Sequence, residues 1–275
     1  MMKRLLIAGC GDLGARLYRR LDPQRWQVHG LRRRPEQLPA GIKAIRADLL
    51  DKASLDAISP QWDAVIYQAT PGQRSEQAYR AAYVEGLSNL LSRCRSERLI
   101  FVSSTAVYGQ DAGEWVDEAS TTSPTAFSGR ILLEAENMTR QHGGLAVRFS
   151  GIYGPGREYL IQSVRSGRAR CREQPPQWTN RIHSEDCAAV LDHLLTLSAP
   201  APVYCASDSH PTPRCEVLDW LADELQLPRP ARDPDLDPDP DLGGQGKRVA
   251  NSRLVSSGFT FQYPDYSSGY RDLLP

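Results

Sequence analysis

The sequence predicts an α/β protein, a doubly wound parallel sheet carrying a smaller C-terminal lobe. Two observations lead there first. Leu5-Leu6-Ile7-Ala8 is an unbroken apolar run of strand length, and it leads straight into Gly9-Cys10-Gly11-Asp12-Leu13-Gly14, so strand, tight turn and helix start follow one another at the N-terminus. Further apolar strands then alternate with helical stretches, the pattern of a parallel sheet with crossover helices. A third observation bounds the answer: 275 residues are enough for one large α/β core plus a lobe.

The glycines repeat as G-x-G-x-x-G, and each has a different physical task. Gly9 permits the turn, Gly11 lets a diphosphate approach the backbone, and Gly14 lets the helix pack closely on its strand. Leu13, Leu17 and Leu21 recur four apart and give that helix one apolar face. An anion then meets unpaired N–H groups and the positive end of the helix dipole. Gly9, Gly11, Asp12, Leu13 and Gly14 are therefore the candidate diphosphate-binding residues of a dinucleotide site.

Charge and cysteine usage exclude several classes. Lys plus Arg and Asp plus Glu both number 33, so no global field favours nucleic acid or an anionic membrane. Cys10, Cys94, Cys171, Cys187, Cys205 and Cys215 show no C-x-x-C pair and no zinc-type spacing, so reduced thiols and no metal are expected. A strand begins almost at once and leaves no room for a signal peptide, and no apolar run approaches membrane-spanning length. The expectation is a soluble cytoplasmic protein.

The second strand, Trp26 to Leu31, runs into Arg32-Arg33-Arg34. In a dinucleotide fold this strand end lies beside the adenosine ribose, where an acid would read the 2′-hydroxyl of NAD. Here an arginine cluster replaces it and would pair with a 2′-phosphate, which predicts NADP over NAD. Ile42 to Ala47 reads as a third strand ending at Asp48-Leu49, a pair placed to contact the adenine edge. Trp62 to Tyr67 is a fourth. The small residues Ala69 and Thr70 at its end allow a cofactor to lie across it. Gln73 to Arg95 predicts a long helix whose stripe of Tyr79, Tyr83, Leu87, Leu90, Leu91 and Cys94 suits a core or a homodimer surface.

Arg98 to Val102 is a fifth strand, leading into Ser103-Ser104-Thr105-Ala106-Val107-Tyr108-Gly109. With the N-terminal glycines, Arg148 to Pro155 and Ile182 to Asp186, this segment resembles, in order, the extended short-chain dehydrogenase/reductase family of nucleotide-sugar epimerases and dehydratases. The resemblance implies an NAD(P)-binding Rossmann fold and hydride transfer to or from a sugar-nucleotide-like or other small polar substrate. It implies that Ser104 hydrogen-bonds the substrate oxygen, with Thr105 as the alternative and Tyr108 nearby. It also implies that Ser103, Ser150 and Gly151 pass the nicotinamide side of the cofactor and that Arg157 borders the substrate.

One departure limits the resemblance. Family members carry Tyr-x-x-x-Lys on the next helix, because a phenol near pKa 10 needs a neighbouring ammonium before it can exchange a proton at neutral pH. Here Ser128 and Leu132 occupy those positions, or Phe127 and Ile131 in the adjacent register. Ser128, with Ser104, is the catalytic candidate that remains, and Tyr108 and Tyr153 are alternative phenols. Two readings stay open: an enzyme with an atypical site, or an NADP-binding sensor or regulatory protein that has lost catalysis.

Leu145 to Phe149 reads as a sixth strand, Glu158 to Gly167 as a short helix, and His183 to Leu197 as a longer one, and the resemblance implies a structural role for His183. Arg168, Arg170, Arg172 and Arg181 make a basic lobe suited to an anionic substrate, with Arg181 as a candidate contact. Val203 to Ala206 fits a further strand, and Cys215 to Leu225 a lobe helix. Residues 228–246 are rich in Pro, Asp and Gly, which predicts an exposed loop. The expected division is a dinucleotide domain of 1–155 and 184–206 and a substrate lobe of 156–183 and 207–275.

Overall fold

The structure, a computed structural model, describes residues 2–233 and 244–274. Its elements run β1 (Lys3–Ala8), α1 (Asp12–Arg20), β2 (Trp26–Arg32), β3 (Lys43–Arg46), β4 (Gln61–Tyr67), α2 (Glu76–Arg80), a π-helical turn (Ala81–Glu85), α3 (Gly86–Arg93), β5 (Arg95–Ser104) and β6 (Ala112–Val116). Next come α4 (Phe127–Gln141), β7 (Leu145–Phe149), β8 (Gly151–Tyr153), α5 (Tyr159–Arg165), β9 (Arg170–Cys171), β10 (Trp178–Thr179), β11 (Arg181–His183), α6 (Ser184–Thr196) and β12 (Val203–Ala206). The chain closes with β13 (Thr212–Pro213), α7 (Arg214–Glu224), β14 (Ala231–Arg232), β15 (Gly246–Val249), α8 (Ser252–Ser256) and α9 (Tyr266–Arg271).

Seven strands form one sheet in the order β12-β7-β5-β4-β1-β2-β3. β1 pairs parallel with both β2 and β4, so the chain winds outward in opposite directions from β1 and leaves a switch point between β1 and β4. Leu5, Leu6, Ile7, Ala64, Ile66, Tyr67, Ile100 and Phe101 are fully buried in this sheet. These strands read as continuous apolar runs because helices cover both faces, leaving no solvent side to require alternation.

The chain divides into two compact units, residues 1–107, 124–148 and 188–204 in the first and 108–123, 149–187 and 205–275 in the second. The core of the second joins Tyr153, Ile161, Val164 and Ala169 to Val217, Leu218, Leu221 and Tyr270. Among the described residues no helix is long and apolar enough to cross a membrane.

Two expectations are corrected here. Cys171 and Cys215 are joined by a disulfide, with Cα atoms 5.4 Å apart and a sequence separation of 44. The other four cysteines are buried and form no disulfide among the described residues. Sequence spacing could not find the pair, because packing of α7 on β9 is what brings it together. Within the expected loop, Ala231 and Arg232 pair with Arg170 and Cys171, and Gly246 already belongs to β15. Residues 234–243 of that loop lie outside the described residues. The expected helix over Gln73 to Arg95 forms as α2, a π-turn and α3.

Candidate functional site

In the first unit the three glycines differ in what a Cβ would meet. Gly9 has φ +79°, and a Cβ there would lie 2.5 Å from the Ala69 backbone, so both the turn and the close approach of the two strand ends require glycine. A Cβ at Gly14 would lie 2.6 Å from Gln68 Nε2 and 2.8 Å from Cys10 Sγ, so α1 rests directly on the ends of β1 and β4. At Gly11 a Cβ would meet only the Gly9 carbonyl, at 3.8 Å. That openness, at the N-terminus of α1, fits a diphosphate on the backbone. Gly11 itself is exposed, and α1 has no side-chain N-cap to occupy its first N–H groups.

A cavity of about 710 Å³ opens beside this turn. Gly9, Gly11, Arg32, Arg33, Arg34, Asp48, Leu49, Ala69 and Thr70 line it, bringing together the expected glycine, arginine and adenine-edge residues. Asp12, Leu13 and Gly14 are not among the residues that line it: the exposed Asp12 pairs with Arg16 at 3.0 Å, and Leu13 is buried. Arg32 Nη2 donates to Gln37 Oε1 at 2.6 Å, and Arg46 pairs with Glu36. The Glu36 carboxyl is lowered by its own backbone hydrogen bond and by Arg46. Arg33 and Arg34 are exposed and have no such partner among the described residues.

One wall of the cavity escaped the sequence reading. Ala78, Ala81 and Ala82 form it at the π-turn between α2 and α3. There the buried Tyr67 hydroxyl donates to the Ala82 carbonyl, and a Cβ at Gly86 would lie 2.6 Å from that hydroxyl. Burial pushes the Tyr67 phenol far above its ordinary pKa, so it acts as a fixed donor. The only trace in the sequence is a pair of small residues beside the aromatic stripe.

The S-S-T-A-V-Y-G segment splits its hydroxyls between tasks. Ser103 Oγ donates to Glu136 at 2.6 Å, and Glu136 also receives Arg148 through Nε at 2.9 Å and Nη2 at 2.7 Å. This buried triad ties α4 to β5 and β7. Ser104 Oγ accepts from Ala106 N at 3.2 Å, and Thr105 is partly buried in the turn that follows. Ser128 is partly buried in the first turn of α4. The adjacent Gly129 packs so tightly that a Cβ would lie 2.3 Å from the Ala106 carbonyl, so this turn and the Ser104 turn touch. Leu132 is buried, and Arg130 points to the Thr125 carbonyl.

The second unit holds the remaining candidates. Tyr108 donates to the Asp117 carbonyl at 2.6 Å and lies 3.0 Å from Cys205 Sγ. Ser150 is buried, with Oγ 3.1 Å from Ser207 Oγ, and Gly151 N donates to the Asn180 carbonyl at 3.1 Å. Arg157 is exposed. Arg181 is buried, donating to Thr179 and lying 5.5 Å over the Tyr266 ring. His183 is buried with its ring 4.0 Å from that of Tyr263. Among the described residues no group of His, Cys, Asp and Glu could hold a metal ion.

The comparisons agree with this geometry. A profile of the NAD dependent epimerase/dehydratase family matches residues 5–203. Protein YeeZ of Escherichia coli K12 is 32% identical over 96% of this chain and 97% of its own length. A solved structure of the NAD-dependent epimerase/dehydratase type from Methylobacillus flagellatus is 37% identical, with TM-score 0.83 over 99% of this chain and 98% of that one. The Bordetella bronchiseptica enzyme WbmG, solved with NAD and UDP, shares the fold at TM-score 0.81 and 18% identity, over 98% and 93% of the two chains. The chain belongs to the NAD-dependent epimerase/dehydratase family.

Proposed function

We propose that the protein is an NADP-preferring oxidoreductase or epimerase-like enzyme with an atypical proton-transfer site, acting on a nucleotide-sugar-like or other polar metabolite. The observation that carries this reading is the cavity at the ends of β1 and β2, which has the exposed Arg33 and Arg34 where an NAD site has an acid. Two guanidinium groups there suit a 2′-phosphate, through charge-assisted hydrogen bonds worth about 1.5–3 kcal/mol each. When bound, the nicotinamide exchanges a hydride with the substrate carbon. Ser104 orients the substrate oxygen, with Ser128 on the adjoining turn. Neither serine is the proton-transfer group that an activated phenol would be, so that step falls to water or to a group on the substrate. UDP in the WbmG structure and the arginines of the second unit support an anionic, nucleotide-bearing substrate.

Calorimetry with both pyridine nucleotides tests the cofactor assignment. Replacing Arg33 and Arg34 together by serine is expected to weaken NADP at least about tenfold while changing NAD less than about threefold. Equal losses for the two nucleotides would refute it. The second reading, a catalytically silent NADP-binding sensor, is favoured by one observation: Leu132 and Ile131, the two positions at which the resemblance would put the ammonium, are both buried apolar side chains. NADP binding with no hydride transfer across a panel of nucleotide sugars would decide for it.

A further inference from the structure

The chain contains four lysines among its 33 Lys and Arg residues. Lys3, Lys43 and Lys52 are exposed, whereas Lys247 is drawn inward on β15. Its backbone is bracketed by Asn180, whose Nδ2 donates to the Lys247 carbonyl at 2.7 Å and whose Oδ1 accepts from Val249 N at 2.8 Å. β15 pairs with β6 across a bulge, Gly246 opposite Ala112 and Arg248 opposite Trp115. Within the bulge Gly113 has φ +80°, and its carbonyl accepts from Arg248 Nε at 2.7 Å. Bulges of this kind re-aim a side chain and cluster next to active sites.

The Lys247 ammonium donates to the Tyr108 carbonyl at 3.0 Å, at the end of the segment that begins with Ser103. Among the described residues that carbonyl is its sole hydrogen-bond partner, and no carboxylate forms an ion pair with it. A single neutral carbonyl leaves a partly desolvated cation poorly compensated. Burial accordingly lowers the Lys247 pKa, against the opposing pull of Asp111 and Glu114. Two other side-chain polar atoms near this strand pair are buried with no partner among the described residues. One is Gln110 Oε1, two residues beyond Tyr108. The other is Nε of Arg172, whose Nη2 donates to the Gly244 carbonyl at 2.7 Å. An unsatisfied donor, an unsatisfied acceptor and an underpaired cation along one stretch are what a polar ligand would complete.

We propose that Lys247 is the cationic ligand contact of the second unit, held by the Asn180 bracket so that its remaining N–H groups receive an anionic oxygen, phosphate or carboxylate, of the substrate. This rests on the enzymatic reading above and names the substrate group that it would recognise. Lysine suits the position better than the arginine used nearly everywhere else in the chain. Its compact ammonium can share one carbonyl and one incoming oxygen, whereas a planar guanidinium would need a wider set of acceptors.

The test uses the full-length protein without pyridine nucleotide, so it stays separate from the NADP titration. Pyridoxal 5′-phosphate carries an aldehyde that reacts with free amines and a phosphate that seeks an anion site. After borohydride reduction, peptide mass mapping reads the labelling rate at each lysine. Lys247 is expected to label at least about tenfold faster than Lys3, Lys43 and Lys52, and inorganic pyrophosphate is expected to slow Lys247 alone. Lys247→Met should remove the fast phase with its melting temperature unchanged. Labelling of Lys247 no faster than the exposed lysines, or fast labelling that pyrophosphate does not slow, overturns the proposal.

Discussion

Asp208 shows how one buried group sets a pH response. It is almost fully buried in the second unit; Oδ1 accepts from His210 N at 3.2 Å, and Oδ2 has no partner among the described residues. Burial pushes its pKa up to about 7 against the lowering effect of Arg181, with Asp265 and Asp186 adding to the rise. The folded protein therefore retains a proton that the unfolded chain, with an aspartate near its ordinary 3.8, has already released. Between those two values the folded state binds more protons, so this group lowers stability as pH rises from about 4 to about 7 and adds no further loss above that. His29 works in the opposite direction. Burial and the charges of Arg4 and Lys43 hold its pKa near 4, so its contribution is lost as pH falls from about 6.5 towards 4. Wild-type melting alone would mix the two effects, and Asp208→Asn separates them. Asn keeps the acceptor for His210 N and removes the titration. Its stability relative to wild type, read from urea unfolding at several pH values, is expected to rise between pH 5 and pH 8; a flat difference would show that Asp208 is ionised throughout.

The unit of β1, turn and α1 argues at the next level up, because its three glycines act together. Gly14→Ala puts a methyl 2.6 Å from Gln68 Nε2 and 2.8 Å from Cys10 Sγ, so α1 must lift from the strand ends. Such overpacking costs about 1–3 kcal/mol. The lift also moves the open N–H groups at Gly11, so both the urea midpoint and the NADP affinity should fall together; a loss of stability with unchanged affinity would mean that the turn does not hold the diphosphate. This element was legible in the sequence because its requirements are local: a positive φ at Gly9, an open face at Gly11, a contact at Gly14. The centre of the sheet was legible for the same reason, β1 and β4 carrying unbroken apolar runs. The alanine wall at 78–82 was not, since the π-turn depends on a hydrogen bond from Tyr67, fifteen residues before Ala82. Nor could the sequence show that Ser103, beside the candidate Ser104, is committed to Glu136 and Arg148, because that triad forms only when β5, α4 and β7 are packed.

The two compact units differ in what holds them together. The first is built on the parallel sheet, whose strands bury a continuous apolar core. The second is assembled from two-stranded pieces and short helices, β8 with β11, β9 with β14, β10 with β13 and β6 with β15, so it has fewer ladder hydrogen bonds to share any strain. The Cys171–Cys215 disulfide lies wholly within this second unit, inside the cluster of Tyr153, Val217, Leu218 and Tyr270. Arg232 donates to Cys171 Sγ at 3.5 Å and pairs with Asp219 on α7, so the disulfide ties β9 to α7 and the ion pair ties the neighbouring β14 to the same helix. Closing a loop of 44 residues restricts the unfolded chain enough to stabilise the fold by about 4 kcal/mol on the chain-entropy model. Thiol titration of the protein unfolded without reductant should therefore find four reactive cysteines, and six after reduction. Reduction, or Cys171→Ser with Cys215→Ser, is expected to lower the melting of the second unit while NADP binding to the glycine turn of the first changes less than about twofold. Six reactive thiols before reduction would remove the bond from the native molecule, and the stability of the second unit would then rest on its aromatic core and ion pairs alone.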